Sequence, residues 1–132
     1  MTITDQLHLT MTAAIHARWA HRVDGLVHSH PWNLEATVEG PADAQIVIPA
    51  DELERLLGEL VAPWRGKYLT DEDVGPWKGY EPLVWDREPT VEEIARRLWS
   101  QLDAQVDGLR SLAVTEATEF DRSRTVRLTR TG

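Results

Sequence analysis

Apolar and polar residues alternate one for one near the start of the chain. Leu7, Leu9, Met11, Ala13 and Ile15 fall on one side, and His8, Thr10, Thr12, Ala14 and His16 on the other. A period of two predicts a long strand with one apolar face. Beyond a turn-like Arg22-Val23-Asp24-Gly25, a second alternating run over residues 27–38 gathers His28, His30, Trp32, Leu34, Ala36 and Val38 on one face, and Gly40-Pro41 ends it. A short apolar stretch at 45–49 leads into residues 51–61, whose apolar positions recur at helical spacing until Pro63 stops them. Residues 64–88 have no clear period and carry Trp77, Tyr80 and Trp85 among several glycines and prolines. So long a loop in a small domain is uncommon and often functional. A second helix follows, with Thr90 as its expected N-cap, Glu93 completing a capping box, and an apolar stripe of Ile94, Ala95, Leu98, Trp99, Leu102 and Val106. Two strands, 111–118 and 122–129, close the chain. The order is strand, strand, helix, helix, strand, strand.

Composition bounds the picture. At 132 residues and 42% apolar content, the chain is expected to form one domain around one core. A formal charge of −8 disfavours nucleic acid and anionic membrane surfaces as partners. The absence of cysteine excludes a disulfide framework and a thiolate nucleophile, and it fits a reducing compartment. The first six residues have neither a basic start nor a long apolar run, so no signal peptide or spanning helix is expected and the protein reads as soluble and cytoplasmic.

The candidate chemistry lies in the histidines. His28 and His30, two apart on a strand, point to one face about 6.6 Å from each other, close enough to share an ion. With His16 they make three imidazoles, the pattern of a catalytic zinc site that keeps an open position. Ordinary surface or core histidines are the competing reading of the same residues.

Four local motifs then carry a family resemblance. Ala14-Ile15-His16 is similar to Ala-Ala-His, Val27-His28-Ser29-His30-Pro31-Trp32 to Leu-His-Gly-His-Asn-Tyr, Pro89-Thr90-Val91-Glu92 to Pro-Thr-x-Glu, and Val114-Thr115-Glu116-Ala117 to Val-x-Glu-Thr. In this order they resemble the 6-pyruvoyltetrahydropterin synthase family, which includes the bacterial 6-carboxytetrahydropterin synthases. The resemblance implies an α+β tunnelling fold: an antiparallel sheet with elements ββααββ, two helices on one face, and a homohexamer built as two stacked trimers. It also implies Zn2+ on His16, His28 and His30, and a Glu116 that anchors a pterin-like ring, although Glu116 also reads as an ordinary strand glutamate.

The departures are as informative. The family's catalytic cysteine lies four residues before the His-x-His pair, where this chain has Asp24, and Arg65 and Gly66 stand where its Asp-His pair belongs. Asp24 is therefore the first candidate base, with His21 and Lys67 behind it, although Asp-Gly is also a common turn pair. Trp77, Tyr80 and Trp85 either wall a substrate pocket or pin the loop to the domain. The function expected is zinc-dependent lyase or cyclase chemistry on a small oxygenated or heterocyclic substrate, in specialised biosynthesis. The alternative is a non-catalytic pterin- or purine-binding protein that keeps the metal.

Overall fold

The computed structural model of the protein describes residues 7–118 and 121–132. Its elements run β1 (His8–Val23), β2 (Leu26–Pro41), α1 (Ala50–Val61), β3 (Lys67–Thr70), β4 (Glu81–Val84), α2 (Val91–Asp103), β5 (Leu109–Ala117) and β6 (Ser123–Thr129). Both helices, the four long strands and the Thr90 N-cap fall where the periodicity places them. Thr90 Oγ1 accepts from the Glu93 N–H at 3.1 Å. Two differences stand out. The strand β1 continues to Val23, well past His16, and the long loop contains two further strands, β3 and β4.

One sheet holds all six strands in the order β4-β3-β1-β2-β5-β6. The four long strands pair antiparallel, whereas β3 adds to β1, and β4 to β3, in parallel. The β1–β2 hairpin turns on Asp24 and Gly25, both with positive φ (53° and 77°), the geometry of a two-residue type I′ turn.

Register assigns each residue to a face. Trp19 lies opposite His30, Ala17 opposite Trp32, and Trp32 opposite Glu116, so these share the face covered by α1 and α2. Buried against it are Leu53, Leu56, Leu57 and Val61 of α1 and Ile94, Ala95, Leu98 and Leu102 of α2. An aromatic stack anchors this core: the Trp19 and Trp32 rings lie 4.7 Å apart and nearly parallel, and Trp64 meets Trp19 edge-on at 5.2 Å. The other face carries polar rows, Thr12 with Thr37, and His16 beside Asn33 and Thr115. It has no helical cover.

Candidate metal centre

Where the apolar stripe of the inner face reaches the hairpin end of the sheet, it gives way to polar groups. The pattern Ala17, Trp19, His21 on β1 continues the core face, as does Trp32, His30, His28 running backward on β2, and Leu112, Val114, Glu116 on β5. Pairing of His21 with His28, and of Trp32 with Glu116, brings these endings together. His21 and Glu116 are buried at 5% and 3% exposure, His30 is half-buried, and His28 is exposed.

The polar atoms converge. One ring nitrogen from each of His21 and His30 and one carboxylate oxygen of Glu116 all lie within 4.8 Å of each other. Glu116 Oε2 is 3.3 Å from His21 Nε2 and 3.5 Å from His30 Nε2. Both Nδ1 atoms are committed elsewhere, His21 to the Pro89 carbonyl at 2.8 Å and His30 to the Ala117 carbonyl at 3.1 Å. A carbonyl only accepts, so each Nδ1 carries a proton, and each Nε2 is turned toward Glu116. Two imidazole nitrogens and a carboxylate oxygen thus face one another, and Glu116 Oε2 is buried without a hydrogen-bond partner among the described residues. The Trp32 ring floors the site, with the His21 and His30 rings edge-on to it at 5.0 and 5.7 Å. Arg124 caps the other carboxylate oxygen, Nη2 to Oε1, at 2.9 Å.

Burial and charge oppose one another in this cluster. Burial is the main influence on His30 and holds its imidazole below its ordinary value, with neighbouring His21 and His28 acting in the same direction against the pull of Glu116. The Glu116 carboxyl also lies below its usual range. Burial alone would raise it, but the contact with His21 and the positive charge of His21, His30 and Arg124 outweigh that. Two imidazoles beside a carboxylate form a donor set suited to zinc, and hydrogen bonds from the far ring nitrogens to carbonyls are the usual support for such ligands.

The sequence-derived site residues divide into groups. His28 and His30 share a face as expected, with ring centroids 5.8 Å apart. His16 does not join them: it pairs with Asn33 on the opposite face and is exposed, because β1 runs straight through it and an odd spacing separates it from His21. His21, paired with His28, stands on the face of His28 and His30 instead. Asp24 sits exposed in the hairpin turn, where its backbone N–H donates to Glu88 Oε2 at 3.1 Å. Lys67 opens β3 opposite Glu81, and no hydrogen bond or ion pair joins it to the histidines. Arg65 and Gly66 form the exposed turn before β3. Tyr80 reaches the outer face, its hydroxyl 3.1 Å from Ser29 Oγ, and Trp77 packs on Tyr80 at 5.6 Å. Trp85 turns inward onto Trp64 at 5.4 Å, under the Arg97 guanidinium. Within one subunit the three aromatics therefore secure the loop on two sides of the sheet and stand apart from the imidazole cluster.

A six-stranded sheet with both helices on one face, and an imidazole–carboxylate cluster at its hairpin end, defines a tunnelling-fold protein. The chain belongs to the 6-pyruvoyl tetrahydropterin synthase family, whose model matches residues 5–127. Three solved structures are similar. The 6-pyruvoyl tetrahydropterin synthase of Caenorhabditis elegans has 14% identity and a TM-score of 0.68, covering 95% of this chain and 97% of that one. A Plasmodium vivax 6-pyruvoyltetrahydropterin synthase, solved as a mutant in which a catalytic glutamate is replaced by alanine, has 14% identity and a TM-score of 0.66, covering 93% and 99%. An uncharacterized protein from Wolinella succinogenes has 13% identity and a TM-score of 0.72, covering 93% and 98%. At these identities the likeness concerns the fold. No curated protein matches the chain by sequence. Among the described residues no helix is long and apolar enough to cross a membrane.

Proposed function

We propose that the protein is a zinc-dependent enzyme of lyase or cyclase type, with the metal held on the face that carries His21, His28 and His30 and a small oxygenated or heterocyclic substrate bound beside it. The observation that carries this reading is the convergence of two imidazole nitrogens on the buried Glu116 Oε2, which has no hydrogen-bond partner among the described residues. When bound, zinc supplies Lewis acidity, polarising a carbonyl or hydroxyl oxygen or lowering the pKa of a bound water toward about 7. The remaining work belongs to the chain. The Pro89 and Ala117 carbonyls hold the two rings in one tautomer and orientation, and the Trp32 floor excludes water from below.

Asp24 is assigned as proton acceptor. It sits at the tip of the hairpin that presents His21 and His28, and among the described residues its carboxylate makes no hydrogen bond or ion pair. In the Plasmodium vivax relative, too, a carboxylate is a catalytic residue. Removal of a proton beside a polarised carbonyl, followed by elimination, aldol-type cleavage or ring closure, is the reaction class this arrangement supports. The sheet ends on strands β4 and β6. Their outer edges, unpaired among the described residues, suit closure against neighbouring subunits in a trimer, two of which would stack into a hexamer.

A binding protein without turnover is the second reading, favoured by the lack of cysteine and by Arg65 and Gly66 in place of the family's Asp-His pair. Metal analysis of protein purified without chelators tests the first step: about one zinc per subunit is expected, and less than about one in ten would sink the reading. Asp24→Ala then separates enzyme from binder. Lost turnover at unchanged zinc content supports the assignment, and unchanged turnover removes it.

A further inference from the structure

Along α2 and the segment after β4 lies an open cleft of about 330 Å³, walled by Asp86, Arg87, Glu93, Arg96 and Arg97, with Ser100 at its end. Among the described residues no hydrogen bond or ion pair joins these side chains to His21, His30 or Glu116. The charges of the cleft are only partly answered. Asp86 accepts from Arg97, whose guanidinium also stacks on the Trp85 ring at 4.1 Å, so this cation is fixed in place. Glu93 is held differently. The capping box expected at the start of α2 is half made: Thr90 Oγ1 takes the Glu93 N–H, but the Thr90 N–H goes to the Glu88 carbonyl at 2.9 Å, which leaves the Glu93 carboxylate out of the cap. Glu93 is 8% exposed, and its Oε2 is buried without a hydrogen-bond partner among the described residues. Arg96, the cation paired with it, stands at 3.9 Å, beyond hydrogen-bond reach.

A buried carboxylate without a donor is costly, and one set in the wall of a cleft is matched by a cationic ligand. A simple cation would face the guanidinium groups of Arg87, Arg96 and Arg97, and a simple anion would face Glu93 and Asp86. A molecule carrying both charges meets both. We infer that this cleft binds a small zwitterion of the α-amino-acid type, its ammonium on Glu93 and its carboxylate on Arg96 and Arg87. Arg96 is 58% exposed and long enough to turn from Glu93 to the incoming carboxylate, so the ammonium replaces the guanidinium it displaces. Arg97, held by Asp86 and Trp85, stays as a fixed positive wall.

The test is a saturation-transfer NMR titration of the intact protein with matched probes: L-alanine, propionate, which lacks the ammonium, and ethylammonium, which lacks the carboxylate. L-Alanine is expected to bind at least about tenfold more tightly than either fragment, since each fragment leaves one charge of the cleft unanswered. Glu93→Gln keeps the shape and removes the charge, and it should bring L-alanine down to the level of propionate. Arg96→Gln is an exposed change that spares the fold whatever Glu93→Gln does, and it should weaken L-alanine and propionate alike by about tenfold. Circular dichroism confirms the folding of both variants. Either fragment binding as tightly as L-alanine overturns the zwitterion. No binding by any probe, or an L-alanine affinity that either variant leaves untouched, overturns the site itself. None of these outcomes bears on the zinc reading.

Discussion

The two faces of the sheet use the same strands for opposite purposes. The helix-covered face is apolar along most of its length and then ends in His21, His28, His30 and Glu116, held over Trp32 where the helices give out. The uncovered face mixes polar groups with small apolar ones, and its threonines pair in exposed rows, Thr12 with Thr37 at 2.8 Å and Thr115 with Thr125 at 2.7 Å. A histidine on the second face meets water and neighbours that can answer it. On the first it meets a dry indole and an ionised carboxylate, where unpaired polar atoms are costly and a cation relieves them. The distinction between His21 and His16 therefore reduces to the parity of their positions along one strand.

The largest test of this contrast is at the floor. Trp32 is 1% exposed, stacks on Trp19, donates its indole N–H to the Trp19 carbonyl at 3.0 Å, and carries both imidazoles. Trp32→Ala should cost about 3–5 kcal/mol in urea unfolding and remove zinc binding with it. A loss below about 1.5 kcal/mol would mean that the inner face does not rest on this stack. Next comes the histidine pair. His21→Ala should weaken zinc at least about 100-fold, equivalent to roughly 2.7 kcal/mol, while His16→Ala stays within about twofold of wild type. The reverse result would place the metal on the outer face.

A ligand role for His16 is what the local motif suggested, and the reason the structure separates it from His28 and His30 is physical. Ala14-Ile15-His16 resembled the family's first-strand motif, and the alternation was followed only as far as His16. Yet the same alternation put His16 on the polar side of β1 and His28 and His30 on the apolar side of β2. Paired strands share their faces, so the three could not meet. Trp19 and His21 continue the apolar side, and that was the available signal. Glu116 was legible through its resemblance to the Val-x-Glu-Thr motif, but the proximity of its oxygen to two imidazoles depends on the β2–β5 register, which only the folded chain reveals. Strands β3 and β4 escaped notice because they have four residues each and no periodicity of their own. Their partners, β1 for β3 and β3 for β4, make them strands.

The register itself can be perturbed. The pairing of β2 with β5 shifts between Thr37 and Val38, and beside that shift the Glu39 N–H donates to the Gly108 carbonyl at 2.8 Å. Gly108 has φ of +79°, and a Cβ there would lie 2.3 Å from the Glu39 carbonyl oxygen. Gly108→Ala should cost at least about 2 kcal/mol from strain and clash together. Because this shift sets which β5 residues face inward, zinc affinity should fall along with the midpoint of unfolding. Full zinc affinity in a destabilised variant would show that the register around Glu116 is fixed by the core alone.

The smallest expected effect is on the outer face. Thr37→Val removes one hydroxyl of an exposed pair while keeping the β-branched shape, so in an isolated subunit the change should be within about 0.5 kcal/mol. That near-silence depends on water reaching Thr12, whose hydroxyl then finds a solvent partner. If trimers close the sheet into a barrel with this face inside, water still lines it and the effect stays small. A cost above about 1.5 kcal/mol, read from urea unfolding at two protein concentrations, would mean that assembly dries this face. The two faces would then differ in which polar groups they leave unanswered rather than in access to solvent.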